Sequence, residues 1–161
     1  MRRKRTFVLL VMSFAAMTAV FGAATGSAAT TSKKFSVTPV LSKLPDGTIK
    51  VVLTLKYDGP GNSGRISVVY SSFATRPWHV QTVHPLMGSL KARGYQSRHN
   101  PSMPDYEVMV IGGINSGDTT SVSALYRLPF KGEFFLNFFS CPLKYYKSDP
   151  KTYCVTQLFH I

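Results

Sequence analysis

Acids are scarce in this chain: seven Asp and Glu stand against 19 Lys and Arg in 161 residues. Between Asp58 and Asp105 there is no carboxylate at all, while Arg65, Arg76, Lys91, Arg93 and Arg98 all fall there. So few carboxyls leave little material for glycoside hydrolysis, which needs two of them facing each other. Cysteine is scarcer still. Cys141 and Cys154 are the only two, without the CxxC spacing of a redox motif and too few for a structural zinc site. His79 and His84 are five apart, which puts them on opposite faces of a strand and matches no metal pattern. No GxSxG is present, and GGINSGD lacks the lysine that a phosphate loop requires, so it reads as a turn. A hydrolase built on His99 and Asp105 stays open as a third reading of function. No cofactor and no specific recognition of nucleic acid are expected.

What is present begins with the N-terminus. Met1-Arg2-Arg3-Lys4-Arg5 is a basic head, followed by the apolar run FVLLVMSFAAMTAVFGAA and then TGSAAT. These are the three parts of a secretory signal, with Ser27 and Ala29 at −3 and −1 of a cut after Ala29. The run is also just long enough to span a bilayer, so a retained anchor is the alternative. Residues 1–29 are therefore read as a signal-peptide helix and 30–161 as one domain, secreted, periplasmic or held at the cell envelope, with no stable membrane insertion once the signal is cut. Cleavage leaves 132 residues, enough for a real core. It removes four basic side chains and no acid, for a net charge of +8. Outside the cytoplasm the two thiols are expected to form a disulfide, clipping a loop between two strand-like stretches.

Beyond the N-terminal run there is no helical period, and period two recurs. TIKVVLTLKY places Ile49, Val51, Leu53, Leu55 and Tyr57 on one face and Lys50, Thr54 and Lys56 on the other, a half-buried strand. KFSVTPVLSKL precedes it, with Pro39 favouring an edge and Leu44-Pro45-Asp46-Gly47 supplying the turn of a hairpin. ISVVYSSF, YEVMVI, TTSVSALYRL, EFFLNFFSC and CVTQLFHI complete seven strand candidates. Short strands with turn signals between them point to an all-β sandwich or barrel.

The stretch INSGDTTSVSALYRLPFKGEFFLNFFSC resembles the later strands of exported bacterial Ig-like sandwich domains: a glycine turn, a Thr/Ser-rich strand, a Pro–Gly turn, an aromatic strand. The resemblance covers the last third of the chain and implies an Ig-like antiparallel β-sandwich of about seven strands. It departs from the antibody pattern, because the cysteines flank a hairpin loop and do not bridge distant strands around a tryptophan. A fold of this kind hosts many unrelated functions.

Two regions stand out as candidate surfaces. Residues 74–105 have no sustained period, although WHVQTV is strand-like, and such long connections tend to be functional. They carry Arg76, Trp78, Lys91, Arg93, Tyr95 and Arg98, a mix of rings and cations suited to sugars and anionic partners. The structural alternative is a lid made by Trp78, Val80, Val83, Leu86 and Met87. The clipped loop presents Lys144, Tyr145, Tyr146 and Lys147, with Lys151 and Tyr153 beyond. In EFFLNFFSC, Phe134, Leu136 and Phe138 point one way and Phe135 and Phe139 the other, so the second face is expected to be covered by residues 74–105 or to mark a partner interface.

Without a catalytic pattern, the sequence reads as a non-enzymatic binding module for an anionic surface polymer or acidic glycan. A protein-binding module, an inhibitor or adhesion partner using the clipped loop, is the alternative. Mass spectrometry of the exported chain is expected to find Thr30 at its N-terminus. Recovery of the chain with Met1-Arg2 intact would contradict the cleavage reading.

Overall fold

The computed structural model describes residues 34–94, 96–99 and 107–161, with the side chains of 96–99 excepted. The expected signal peptide, Tyr95, the Arg98 and His99 side chains and Asp105 lie outside the described residues. The hairpin forms as its sequence dictates. Strands β1 (Phe35–Lys43) and β2 (Ile49–Tyr57) pair antiparallel from Phe35↔Tyr57 to Lys43↔Ile49. In the turn, Gly47 takes φ +81° and the Asp46 carboxylate accepts from the Thr48 amide and hydroxyl at 2.9 and 2.8 Å. Those two bonds hold Asp46 below the usual carboxylate range. Pro39, which has no N–H to give, sits on β1 at the edge of its sheet.

The other five expected strands also form: β3 (Ile66–Arg76), β7 (Glu107–Ile111), β8 (Thr119–Tyr126), β9 (Glu133–Pro142) and β10 (Val155–His160). Three short strands join them from the segment without a period: β4 (His79–Thr82), β5 (Lys91–Ala92) and β6 (Gln96–His99). One sheet runs β1-β2-β8-β5 and the other β10-β9-β3-β7-β6, with β4 beside the second half of β3. All pairings among the described residues are antiparallel. First, second and late strands in one sheet, with the third and the last two in the other, is the Ig-like sandwich order.

The core lies between the sheets and is made by alternation. All five residues assigned to the inner face of β2 are buried, as are Ile66, Val68, Tyr70 and Ala74 of β3 and Phe134, Leu136 and Phe138 of β9. The Tyr126 ring tilts against Phe134 at 4.9 Å, and Phe138 stacks on Phe159 at 5.5 Å. One inward position of β3 is polar. The buried Ser72 hydroxyl donates to the Val83 carbonyl, and the Val83 amide donates to the Ser72 carbonyl at 2.8 Å. This pair pins the chain where it leaves β4 to reach β5 on the opposite sheet.

The lid does not form as expected. Val83 enters the core, but Trp78, Val80 and Met87 are exposed, because β4 lies along the edge of β3 and the following turn bonds to β8, with the Leu86 amide donating to Leu125. Among the described residues the segment therefore does not cover the outer side of β9, where Phe135 and Phe139 are half-buried. Phe134→Ala is expected to cost about 3–5 kcal/mol in chemical denaturation, and Phe135→Ala, one position along, clearly less. Equal losses would mean that the outer face is as well packed as the core.

Candidate binding surfaces

The loop between β9 and β10 is closed by the Cys141–Cys154 disulfide. After a single 3-10 turn at Leu143–Tyr145 comes the short helix α1 (Pro150–Tyr153), which opens with Pro150 and whose Thr152 amide donates to the Asp149 carboxylate at 3.3 Å. This geometry turns Tyr153 inward and Tyr146 outward. The Tyr153 ring stacks on Tyr145 with centroids 3.6 Å apart, and Tyr145 shares a 3.2 Å hydroxyl–hydroxyl hydrogen bond with the buried Tyr57. Gly59 closes over the cluster: a Cβ there would come within 2.7 Å of the Tyr57 and Tyr153 rings.

Lys144 is drawn into the same cluster. Its ammonium lies 4.8 Å over the Tyr145 ring, 5.7 Å from that of Tyr57, and donates to the Asn62 carbonyl. Asn62 in turn donates to Asn115 at 2.9 Å, which ties loop 58–65 to loop 112–118. Lys144 and Tyr145 thus fasten the clipped loop from below. Tyr146, Lys147 and Lys151 are exposed without such contacts to the tyrosine cluster, and Lys144 is exposed as well. Two cations not singled out as contacts in the sequence reach this end through the backbone: the Lys34 amide donates to Thr152 at 3.2 Å, and the Leu143 amide to Arg65 at 2.8 Å. They precede β1 and β3, so only the pairing of distant strands brings them here. Asp58 and Asp118 are at this end too, Asp58 paired with Lys56 at 3.1 Å.

Arg76 and Trp78 lie far away, past the opposite end of β3. Ten steps of 3.3 Å separate Ile66 from Arg76 by about 33 Å. The Arg76 guanidinium packs 4.7 Å over the Phe130 ring, and His79 meets the same ring edge-on at 5.1 Å. Trp78 sits in the two-residue turn between β3 and β4 with φ +63° and its side chain fully exposed, at 103%. Lys91 is on β5, opposite Ser123, and Arg93 follows it, its carbonyl accepting from Gly112 at 3.1 Å. Among the described residues, Arg76 and Trp78 therefore lie apart from the clipped loop, Lys91 lies on the other sheet, and Arg93 is joined through Gly112 to the loops beside the clipped end.

The outer side of the larger sheet carries rings. Phe73 stacks on Phe135 at 5.3 Å, Phe135 on His160 at 5.4 Å, and Phe139 meets Tyr146 edge-on at 6.0 Å. Among the described residues no three His, Cys, Asp or Glu side chains converge as metal ligands would. His84 meets Glu107 at 3.3 Å, a pair the sequence spacing did not reveal.

No protein-family model matches the chain. No curated protein matches it. Among solved structures it is similar to the ASH / PapD-like domain of human CEP192 (PapD-like domain 7), at 13% identity over 99% of this chain and 93% of that one, with a TM-score of 0.39.

Burial, first of all, pushes the Tyr57 and Tyr126 hydroxyls well above the ordinary tyrosine value, whereas the hydrogen bond to Tyr57 and the Lys144 cation pull Tyr145 below it. Tyrosines of the unfolded chain ionise near pH 10. The stability that comes from keeping Tyr57 and Tyr126 protonated is thus fully present below about pH 10 and lost as the pH climbs towards their folded values. Tyr145 runs the other way and offsets part of the loss. A melting series is expected to show Tm falling above about pH 10, and a flat Tm through that range would contradict the assignment.

Proposed function

We propose that this chain is an exported, non-enzymatic binding module that engages an anionic cell-surface or extracellular polymer through its disulfide-clipped end. One observation carries the reading: a loop fixed from below by a disulfide and stacked tyrosines presents Lys147, Lys151 and the exposed Tyr146, and bonds through its backbone to Lys34 and Arg65, whose side chains are exposed as well. A loop already ordered loses little conformational freedom when it binds. The loop's own acid, Asp149, is turned to the Thr152 amide as a helix cap. Export is supported by the basic head, apolar run and small-residue cut of residues 1–29, and by a disulfide that persists only in oxidising surroundings.

A protein partner is the second reading, favoured by the open outer face of the larger sheet, where Phe135 and Phe139 are half-buried and Leu158 and Tyr146 exposed. The two readings part on salt. Attraction between exposed charges is largely screened at about 1 M salt, where the Debye length is ~3 Å, whereas apolar contact is not. Retention on an immobilised polyanion at low salt should therefore vanish at high salt. A surface cation near an anionic layer contributes about 1 kcal/mol, so replacing Arg65, Lys147 and Lys151 together by Ala should weaken retention roughly 100-fold. Arg76→Ala, at the far end, should change it little. Retention that survives the triple replacement overturns this assignment, and retention that survives salt favours the protein partner.

A further inference from the structure

A second site lies on the outer face of the four-stranded sheet, away from the clipped end. The segment between β4 and β5 runs along the edge of β8 and borders an open cleft of about 720 Å³, within the usual span of small-molecule sites. Its walls are apolar: Leu86, Met87 and Leu125. Its polar side chains are Lys50, Lys91, Ser123 and Ser89, the last already bonded to the Leu125 backbone, and no acid is among its lining residues. The register explains the grouping. Lys91 is directly opposite Ser123 on one side of β8, and Lys50 is opposite Leu125 on the other. Two strand spacings and a two-residue offset, roughly 12 Å in all, separate the lysine stems, a gap that two flexible lysine side chains can close on one anion.

The rim is built to meet an apolar body. The Leu86 amide donates to Leu125 at 2.7 Å and the Ser89 amide to Leu86 at 2.9 Å, making a fixed turn in which Gly88 takes φ +72°. The Ser89 hydroxyl accepts from the Leu125 amide at 3.1 Å, so the turn continues the sheet edge. Held there, Met87 projects with its side chain fully exposed, at 102%. A flexible thioether at the mouth of an apolar cleft adapts to whatever chain lies in it.

We propose that this cleft binds a single-chain amphiphile with a carboxylate head, the head held by Lys50, Lys91 and Ser123 and the chain laid along Leu86, Met87 and Leu125. Charge selects the head, since two cations and a hydroxyl face the cleft with no carboxylate to oppose them. The apolar residues beside the two cations suit a short tail.

Calorimetric titration of the full chain with decanoate, decanol and acetate, each below its aggregation concentration, tests the assignment. Decanoate is expected to bind, acetate to give no heat, and decanol to bind about tenfold more weakly, the usual effect of losing charge-assisted hydrogen bonds. Lys50→Gln with Lys91→Gln should bring decanoate down to the level of decanol, and Met87→Ser should weaken both. The two lysines are exposed, so the fold tolerates their replacement. No binding of decanoate overturns the proposal, as does equal affinity for decanol or a double variant that binds decanoate like the parent. The Arg65, Lys147, Lys151 triple variant should bind decanoate normally, which keeps this site separate from the polyanion reading.

Discussion

In the larger sheet β3 and β9 run against each other for ten residue pairs, from Ile66↔Pro142 to Thr75↔Glu133. One side of this ladder supplies Val68, Tyr70, Phe134, Leu136 and Phe138 to the core, and the other carries Val69, Phe73, Phe135 and Phe139 outward. Because side chains alternate, a slip of one residue would exchange the two sets and expose the core aromatics. The same register sets Cys141 at the end of β9, next to the start of β10, so the disulfide loop inherits its position from the ladder. The length of β3 also decides that its two ends are separate surfaces.

Much of this could be read from the residues themselves. The alternation in β2, the edge proline of β1 and the two-sided apolarity of β9 are local patterns that survive in the sheet. The segment after β3 was opaque for a physical reason. Strand β5 has two residues, too few to show any period, and its path depends on Ser72 meeting Val83, a contact that no local pattern encodes. The candidate site was half legible. Tyr145, Tyr146 and Tyr153 look alike in sequence, and only the turn of α1 and the buried Tyr57 decide which of them face inward. Lys34 and Arg65 are far from the clipped loop along the chain, so only strand pairing reveals them.

Separation of the basic groups bears on what kind of ligand the proposed module would suit. Cations near the clipped loop and near Arg76 are about 33 Å apart, more than a small molecule spans. A polymer needs no cleft and can rest successive charges on the dispersed cations of the clipped end alone. A small ligand gains nothing from such spacing and needs a cleft, which the molecule offers on its other sheet. Dispersed charge and a concave apolar site thus suit different partners, and the fold keeps them on different faces.

The turn at Pro77-Trp78 is where local preference and structure disagree most. Proline fixes its own φ near −65°, and Trp78 at +63° then occupies the position that type II turns reserve for glycine. Short hairpins also favour the mirror-image turns, so both the residue and the hand of the turn run against preference. Strain of this sort costs on the order of 1–3 kcal/mol. It is held by the β3–β4 ladder, which closes at Arg76↔His79, and by the Phe130 ring against which both of those side chains pack. A glycine at this position would relieve the strain and cost the sheet no contact, since the indole is wholly in solvent. What the strained turn provides is therefore the ring itself: a large apolar face, aimed away from the core beside a guanidinium that Phe130 already holds in place.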